Sequence, residues 1–201
     1  MKKMLLAGVS VALLASLLSG CGGPSVERIK PDEVRDLSGA WNDTDSRLVS
    51  EEMMKDVLSR AWIPNFEAKN RRPPAVIVGT IRNRSHEHIN TQTFTNDISR
   101  ELINSGRVEF VASKSERSEI REERVDQDLN ATAESRKAMG QEQGADYMLK
   151  GDINTIIDTD GKSQVRYYQV DLTLISLKDN RKVWIGQKKI KKAVANARVR
   201  Y

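Results

Sequence analysis

One apolar segment in the middle of the chain constrains the fold more than any other part of the sequence. Residues Ala75 to Ile81 form a nearly unbroken apolar run in which β-branched side chains dominate, which is typical of a strand covered on both faces. After a polar turn, Phe94, Ile98 and Leu102 recur every fourth residue and predict one apolar stripe of a helix. A second apolar segment then follows. Residues 75–112 therefore predict a strand, a crossover helix and a parallel strand.

Helices are predicted on either side of this unit. An apolar stripe that begins at Val49 predicts a first helix, with one of the residues 43–45 as its N-cap and with Pro64 as its end. The charged run from Ser115 to Asp128 predicts a solvated surface helix. A further helix is predicted at about 132–143, because Gly144 supplies a stop after it.

The C-terminal part of the chain predicts antiparallel strands. A strand at 145–157 is expected to bend or bulge at Gly151, and Asp160-Gly161 predicts a tight hairpin before a return strand at 165–177. A last strand begins at Val183 and ends in lysines, which usually protect an exposed sheet edge: Lys188, Lys189, Lys191 and Lys192. The predicted fold class is therefore α/β, a compact single domain with a small mixed sheet of about four to five strands. Helices flank this sheet, and the strands end in an antiparallel meander.

The N-terminus has the pattern of an export signal. Lys2 and Lys3 precede an apolar run that ends in Leu18-Ser19-Gly20-Cys21, and this run is too short for a comfortable membrane span. Leu-Ser-Gly-Cys resembles the lipobox of bacterial lipoproteins, which implies cleavage before Cys21 and acyl chains on its thiol. Inner-membrane lipoproteins typically carry Asp after that cysteine. The glycine at position 22 therefore implies the outer membrane.

Four regions are predicted along the chain. They are a signal peptide at 1–20, a lipidated N-terminus and flexible tether at 21–40, a globular domain at 41–192 and a C-terminal tail at 193–201. The full chain has 33 basic and 28 acidic residues, and loss of Lys2 and Lys3 with the signal peptide reduces the excess to three. So mild an excess is poor support for a nucleic-acid partner, and none is expected.

The candidate catalytic and metal-binding motifs fail on their spacing. Gly161-Lys162-Ser163 resembles the end of a phosphate-binding loop, but Ile156 stands where the first glycine belongs. His86-Glu87-His88 lacks the histidine that zinc proteases place four residues after the first, and Cys21 is the single cysteine. The sequence therefore predicts no enzyme, no cofactor and no metal. A carboxylate-only hydrolase is the enzyme class that sequence excludes least well.

The polar turn after the first strand is the predicted binding surface. Open α/β sheets expose their binding loops at the carboxyl ends of the strands. The residues expected to lie exposed there and to contact a partner are Arg82, Asn83, Arg84, His86, Glu87 and His88. An ordinary solvated loop is the alternative.

Five segments together carry a resemblance to a known family. They are Trp41 to Arg47 at the start of the first helix, Asn83 to Ser85 after the first strand, Leu102 to Gly106 at the end of the central helix, Gly144 to Tyr147, and Lys182 to Gly186. These segments and the lipobox resemble the LpoB family of outer-membrane lipoproteins. The resemblance covers most of 41–192. It implies a compact mixed α/β domain with no catalytic residues of its own.

The resemblance also implies a partner. Members of this family face the periplasm and activate bifunctional peptidoglycan synthases, the penicillin-binding proteins that polymerise and crosslink peptidoglycan. Members that activate a synthase typically carry a long Pro-rich linker, whereas only residues 21–40 separate lipid from domain in this chain. The alternative is a structural or adaptor lipoprotein of another cell-envelope assembly, related to the curli-secretion-type lipoproteins.

Overall fold

The computed structural model describes residues 25–135 and 142–195. The chain divides into one unit up to Glu33 and another from Val34 onward. Of the first unit, residues 25–33 contain neither helix nor strand, and the N–H of Glu33 donates to the carbonyl of Lys30 at 3.1 Å in a turn. The predicted signal peptide and Cys21 lie outside the described residues. So do 136–141, the middle of the range 132–143 where a helix is predicted; the described residues of that range, 132–135 and 142–143, are not helical.

The second unit contains four helices and five strands within its described residues. The helices are α1 Asp43–Ser59, α2 Trp62–Asn70, α3 Thr91–Asn104 and α4 Lys114–Asn130. The strands are β1 Ala75–Asn83, β2 Glu109–Phe110, β3 Tyr147–Asp160, β4 Ser163–Ser176 and β5 Lys182–Val194. The predicted α/β class is confirmed.

The five strands form one mixed sheet in the order β2-β1-β3-β4-β5. Strand β1 pairs in parallel with β2 and β3, and β4 pairs antiparallel with both β3 and β5. The strand–helix–strand unit at 75–112 and the C-terminal meander are therefore confirmed. The parallel part of the sheet places the end of β1 beside the middle of β3.

The core lies between the helices α1, α2 and α3 and one face of the sheet. The predicted stripe of α3 is confirmed, because Phe94, Ile98 and Leu102 are 0%, 0% and 2% exposed. Leu149 of β3 and Leu172 of β4 are also fully buried in this layer. Each such side chain contributes roughly 1.5–3 kcal/mol of burial free energy.

The opposite face of the sheet is largely open, which corrects the expectation that β1 is covered on both faces. Val76 and Ile77 point to opposite faces and are both buried, but Thr80 and Arg82 are exposed. Farther along the sheet, Ile185 of β5 is 62% exposed on the open face. A face that antiparallel strands leave to solvent is common.

The ends of α1 differ from the prediction. The N-cap is Asn42, whose Oδ1 accepts a hydrogen bond from the N–H of Asp45 at 3.0 Å, while Asp45 Oδ2 accepts from the N–H of Asn42 at 3.0 Å. The prediction of a cap within 43–45 is therefore wrong by one residue. Pro64 does not end α1 but lies in the first turn of α2, where a missing N–H leaves no hydrogen bond unmade.

Helix α4 is the solvated helix that the charge pattern predicts. It has no buried residue. Its N-cap Ser113 and the side chain of Glu116 form a full capping box, in which Glu116 Oε2 accepts from the N–H of Ser113 at 2.7 Å. Local sequence is sufficient to specify such a helix end.

The irregularity expected at Gly151 lies instead in β1. Val78 pairs with Leu149 and Ile81 pairs with Gly151, so β1 carries the extra residue of a bulge. Gly151 itself pairs regularly. Glycine is required at position 151 for a reason other than a bulge. A Cβ there would overlap the carbonyl oxygen of Asp171 in β4.

The hairpin between β3 and β4 is confirmed, with its turn one residue later than predicted. Asp160 pairs with Ser163, so Gly161 and Lys162 form the loop. Strand β5 is the sheet edge, as expected of its lysines.

Only half of the lysines near the end of β5 point away from the core. Side chains alternate along the strand, so Lys189 and Lys191 are exposed. Lys188 forms an ion pair with Glu52, and Lys192 forms one with Asp45 at 2.6 Å. Lys188 and Lys192 therefore also tie β5 to α1, a role that the sequence did not predict.

Candidate functional site

The residues 82–88, here called the arginine loop, lie at the carboxyl end of β1 as predicted. Arg82 and Asn83 are the last residues of the strand, and both are exposed. Arg84, His86 and His88 follow and are exposed as well. Glu87 differs, because only 16% of its side chain is exposed. The arginine loop therefore presents five of its six candidate residues to solvent.

Two arginines of the loop share one carboxylate of β3. Arg82 donates from Nε to Asp152 Oδ1 at 2.7 Å and from Nη2 to Oδ2 at 3.0 Å, and Arg84 donates from Nε to Oδ1 at 2.9 Å. These hydrogen bonds, those of Arg82 first, hold the pKa of Asp152 below its usual range. The arginine side chains remain 51% and 55% exposed. Their guanidinium groups are thus oriented before any partner arrives.

Asn83 organises the turn itself. Its Oδ1 accepts from the N–H and the hydroxyl of Ser85 at 2.9 and 2.6 Å, and its Nδ2 donates to the carbonyl of Glu87 at 2.7 Å. The N–H of His86 donates to the hydroxyl of Thr155 in β3 at 3.2 Å. Asn83 is therefore exposed but engaged in the loop's own hydrogen bonds, which leaves the arginines and histidines as its accessible groups.

Glu87 connects the arginine loop to the interior of the domain. Its Oε1 lies 2.7 Å from both Arg166 Nη1 and the hydroxyl of Tyr168, and its Oε2 accepts from the N–H of Trp41 at 3.0 Å. Burial, and then the neighbouring carboxylate, raises the pKa of Tyr168 well above its usual range. The Tyr168 hydroxyl also lies 3.0 Å from the carbonyl oxygen of Gly39. Glu87 thus fixes the loop and the start of the domain to β4.

The open sheet face extends the exposed polar surface beyond the loop. Asp171 lies directly opposite Asp152 across the β3–β4 pair, which places two carboxylates side by side. Asp171 Oδ1 accepts from Gln187 Nε2 at 2.8 Å, and its Oδ2 accepts from Gln169 Nε2 at 2.8 Å. Arginines on one side and amides on the other therefore offset the repulsion. We call this surface the open-face patch: Arg82, Arg84, Asp152, Gln169, Asp171 and Gln187.

Sequence reasoning missed Asp152 and Asp171 because neither lies near the arginine loop in sequence. The parallel register that brings Asp152 beside Arg82 depends on the bulge in β1. The only sequence signal for Asp152 was a charged residue at a position of β3 that faces away from the core. A cross-strand carboxylate pair is locally unfavourable, and such departures from good pairing are concentrated at functional sites.

The open-face patch suits recognition better than catalysis. Its two carboxylates accept hydrogen bonds from guanidinium or amide donors, and Arg82 and Arg84 keep further N–H groups that can donate to a partner. Among the described residues, no group of three or more His, Cys, Asp or Glu side chains is arranged to hold a metal ion. Within the same ranges, none of the helices has the length and apolar character that crossing a bilayer requires. Cys21, the predicted lipidation site, lies outside the described residues.

Comparison with known proteins gives one family. The family model described as "Peptidoglycan-synthase activator LpoB" matches residues 45–190. No curated protein matches the chain in sequence.

Several solved structures are similar to this chain. The LpoB C-terminal domain from Escherichia coli is 13% identical over 74% of this chain and 99% of that chain, with a TM-score of 0.45. The NMR structure of E. coli LpoB is 14% identical over 90% of this chain and 85% of that chain, with a TM-score of 0.40. Lipoprotein GNA1162 from Neisseria meningitidis is 16% identical over 60% of this chain and 84% of that chain, with a TM-score of 0.36.

Proposed function

The chain belongs to the LpoB family of peptidoglycan-synthase activators, and on that premise we propose that its domain binds a bifunctional peptidoglycan synthase, a penicillin-binding protein, and activates it without catalysis of its own. The observation that carries this proposal is the family match over residues 45–190. The match includes α2, α3, α4 and the whole of β1 to β4, and most of α1 and β5. It therefore concerns the folded domain and not merely the export signal.

The contact with the synthase is assigned to the arginine loop and the open-face patch. Arg82 and Arg84 are held by Asp152, so little side-chain entropy remains to be lost when a partner binds. Arginine presents several donors in a planar fork and is enriched at protein interfaces. His86 and His88 extend the exposed surface of the loop. A rigid charged surface of this kind supports recognition of a protein partner.

The proposed location is the periplasmic face of the outer membrane, with acyl chains on Cys21 as the anchor. The lipobox that ends at Cys21 and the glycine at position 22 support it. Mass spectrometry of the N-terminal peptide tests the lipidation, and membrane fractionation tests the location. An unmodified Cys21, or fractionation with the inner membrane, would contradict this part of the proposal.

The short tether sets how near the synthase must come. The compact unit begins at Val34, so only residues 21–33 separate the lipid from it. Thirteen residues at 3.6 Å each extend at most about 47 Å, and a domain of this size adds about 40 Å. The far side of the domain is therefore at most about 90 Å from the membrane surface. A synthase partner must project at least part of the way across the periplasm.

A purified-synthase assay tests the activation. The mature lipoprotein in detergent is added to a purified bifunctional synthase of the same organism, and glycan polymerisation is measured with and without it. Wild-type protein should raise the rate. The variant R82Q/R84Q should bind with a Kd about tenfold higher and stimulate correspondingly less, because two rim charges are lost.

The chain offers a matched control for this variant. On α4, Arg121 and Arg124 share the carboxylate of Glu142 at 2.7 and 3.6 Å, just as Arg82 and Arg84 share Asp152. R121Q/R124Q should therefore activate like wild type. Equal activation by R82Q/R84Q would remove the arginine loop from the contact. Crosslinking in cells that captures a different envelope complex, with no effect on polymerisation, would favour the adaptor function instead.

A further inference from the structure

A cleft of about 920 Å³ lies between α2 and the turn that joins β4 to β5. It is at the opposite end of β1 from the arginine loop. Asp146 lines the cleft and accepts a hydrogen bond from the N–H of Ala75, the first residue of β1, at 2.8 Å. The strand runs from Ala75 to Asn83, so the two surfaces are separated by its length, roughly 26 Å.

The cleft has an excess of positive charge. Its lining includes two carboxylates and five cationic side chains: Arg60, Lys69, Lys178, Arg181 and Lys182. Both carboxylates already have guanidinium partners. Asp146 accepts two hydrogen bonds from Arg72 at 2.8 Å each, and Asp179 accepts one from Arg181 at 2.7 Å. Neither carboxylate is therefore available to neutralise the remaining cations.

Three lysines of the cleft have no ion-pair partner among the described residues. Lys69 comes from α2, Lys178 from the β4–β5 turn and Lys182 from the start of β5, and all three are exposed. They contrast with Lys188 and Lys192 of the same edge strand, which are both paired with carboxylates. The unpaired positive charge is therefore spread around the cleft from three separate segments.

The floor of the cleft is partly apolar. Phe66 and Tyr147 lie half-buried with ring centroids 5.7 Å apart, and Leu177 is 45% exposed at the turn. Arg72 covers Phe66, with its guanidinium carbon 5.1 Å from the ring centroid. Such a floor can accept an apolar side chain, while the lysines around it attract negative charge.

We propose that this cleft binds an acidic peptide segment of a partner protein, with an apolar side chain on Tyr147 and Leu177 and its carboxylates near Lys69, Lys178 and Lys182. Carboxylates spaced along a peptide match cations spread over three segments. A single phosphate is instead recognised by converging donors, such as arginine forks or a nest of backbone N–H groups. The cleft is a second surface, distinct from the arginine loop. This proposal therefore holds whether or not the arginine loop binds a synthase.

Selection from a random peptide library tests the proposal without any synthase. The mature protein in detergent is the target, and 12-residue peptides are selected at low ionic strength. We expect enrichment of sequences that combine Asp or Glu with a large apolar residue. The most enriched peptide is then synthesised with a fluorescent label, and its Kd is measured by anisotropy beside a version with Gln and Asn in place of Glu and Asp.

The charge variants decide where the peptide binds. K69Q/K178Q/K182Q should raise the Kd of the acidic peptide about tenfold, since three exposed charges are removed. K162Q/K189Q/K191Q removes three exposed lysines outside the cleft and should leave the Kd unchanged. Four outcomes would overturn the proposal: no acidic preference, equal binding of the amide peptide, an equal loss in both lysine variants, or phosphatidylglycerol vesicles that compete fully for the cleft lysines. The last outcome would assign the cleft to a lipid surface.

Discussion

The hydroxyl of Tyr168 lies 2.7 Å from Glu87 Oε1, although the two residues are 81 positions apart in the sequence. Arg166, two residues before Tyr168, approaches the same oxygen atom at 2.7 Å. Glu87 therefore has a structural role inside a loop whose other side chains are exposed. Its substitution should have a different effect from substitution of its neighbours.

Glu87→Ala should lower the free energy of unfolding by about 2–4 kcal/mol, because it removes the carboxylate that pairs with the mostly buried guanidinium of Arg166 and that accepts from the N–H of Trp41. Urea unfolding followed by circular dichroism measures the change. His88→Ala removes an exposed side chain of the same loop and should cost less than about 0.5 kcal/mol. Equal stability of the two variants would show that the Glu87 cluster adds nothing to the fold.

Tyr168 should make the protein sensitive to alkali. The pKa of this hydroxyl is raised in the folded state, so the stability it contributes is complete below about pH 10, where the unfolded side chain is neutral. Above that pH the unfolded state releases the proton first, and stability should fall by on the order of 1 kcal/mol per pH unit. Urea unfolding at a series of pH values should show that Tyr168→Phe lacks this part of the loss.

The control for this experiment is Tyr167→Phe. Tyr167 lies on the other face of β4, where its hydroxyl donates to Gln169 at 3.1 Å. This variant should keep the full alkaline loss of the wild type. If both phenylalanine variants retain it, the loss comes from other groups.

Asp152 should contribute to stability in the opposite pH range. Its pKa is lowered in the folded state, first by Arg82 and then by Arg84, so its contribution is complete above about pH 4 and is lost as the pH falls through the folded value. Between about pH 5 and pH 3, wild type should lose about 0.5–1 kcal/mol more than Asp152→Asn, since the pair is partly exposed. Asp158→Asn, on the same face of β3, should behave like wild type. Identical acid profiles for wild type and Asp152→Asn would contradict the pairing.

Gly151→Ala should destabilise the domain by more than about 3 kcal/mol, because the added methyl group meets the backbone of β4. Thermal unfolding measures the effect. Gly144→Ala is the matched control, since a Cβ at Gly144 has no heavy atom within 4 Å. That variant should stay within about 0.5 kcal/mol of wild type. A mild effect at Gly151 would mean that β3 and β4 can separate locally.

The features that sequence predicts correctly depend on neighbours along the chain. The stripe of Phe94, Ile98 and Leu102 predicts α3, because helical periodicity relates residues a few positions apart. The apolar run from Ala75 predicts β1, because it too is a pattern of neighbouring residues. The position of 82–88 at the end of that strand follows from the same local pattern, and the contact of these residues with a partner stays a prediction. The charged run that predicts α4 as a solvated helix is likewise a pattern of neighbouring residues.

The features that sequence misses depend on distant partners. Asn42, rather than a residue within 43–45, caps α1. Asp45 is only 4% exposed and forms an ion pair with Lys192, which lies near the other end of the domain's sequence. Likewise, Asp152 becomes part of the candidate site only because a bulge in β1 sets the register with β3. No local pattern contains that information.

The contacts at the start of the domain also determine how it carries mechanical load. In the proposed anchored form, tension along the N-terminal segment reaches the compact unit at Val34 and passes from there to the contacts of Asp36, Ala40 and Trp41. Lys192 Nζ donates to the carbonyl of Ala40 at 3.2 Å, and Glu87 accepts from the N–H of Trp41. The force is therefore shared among the last strand, the arginine loop and α1, because contacts from all three hold the residues at the start of α1.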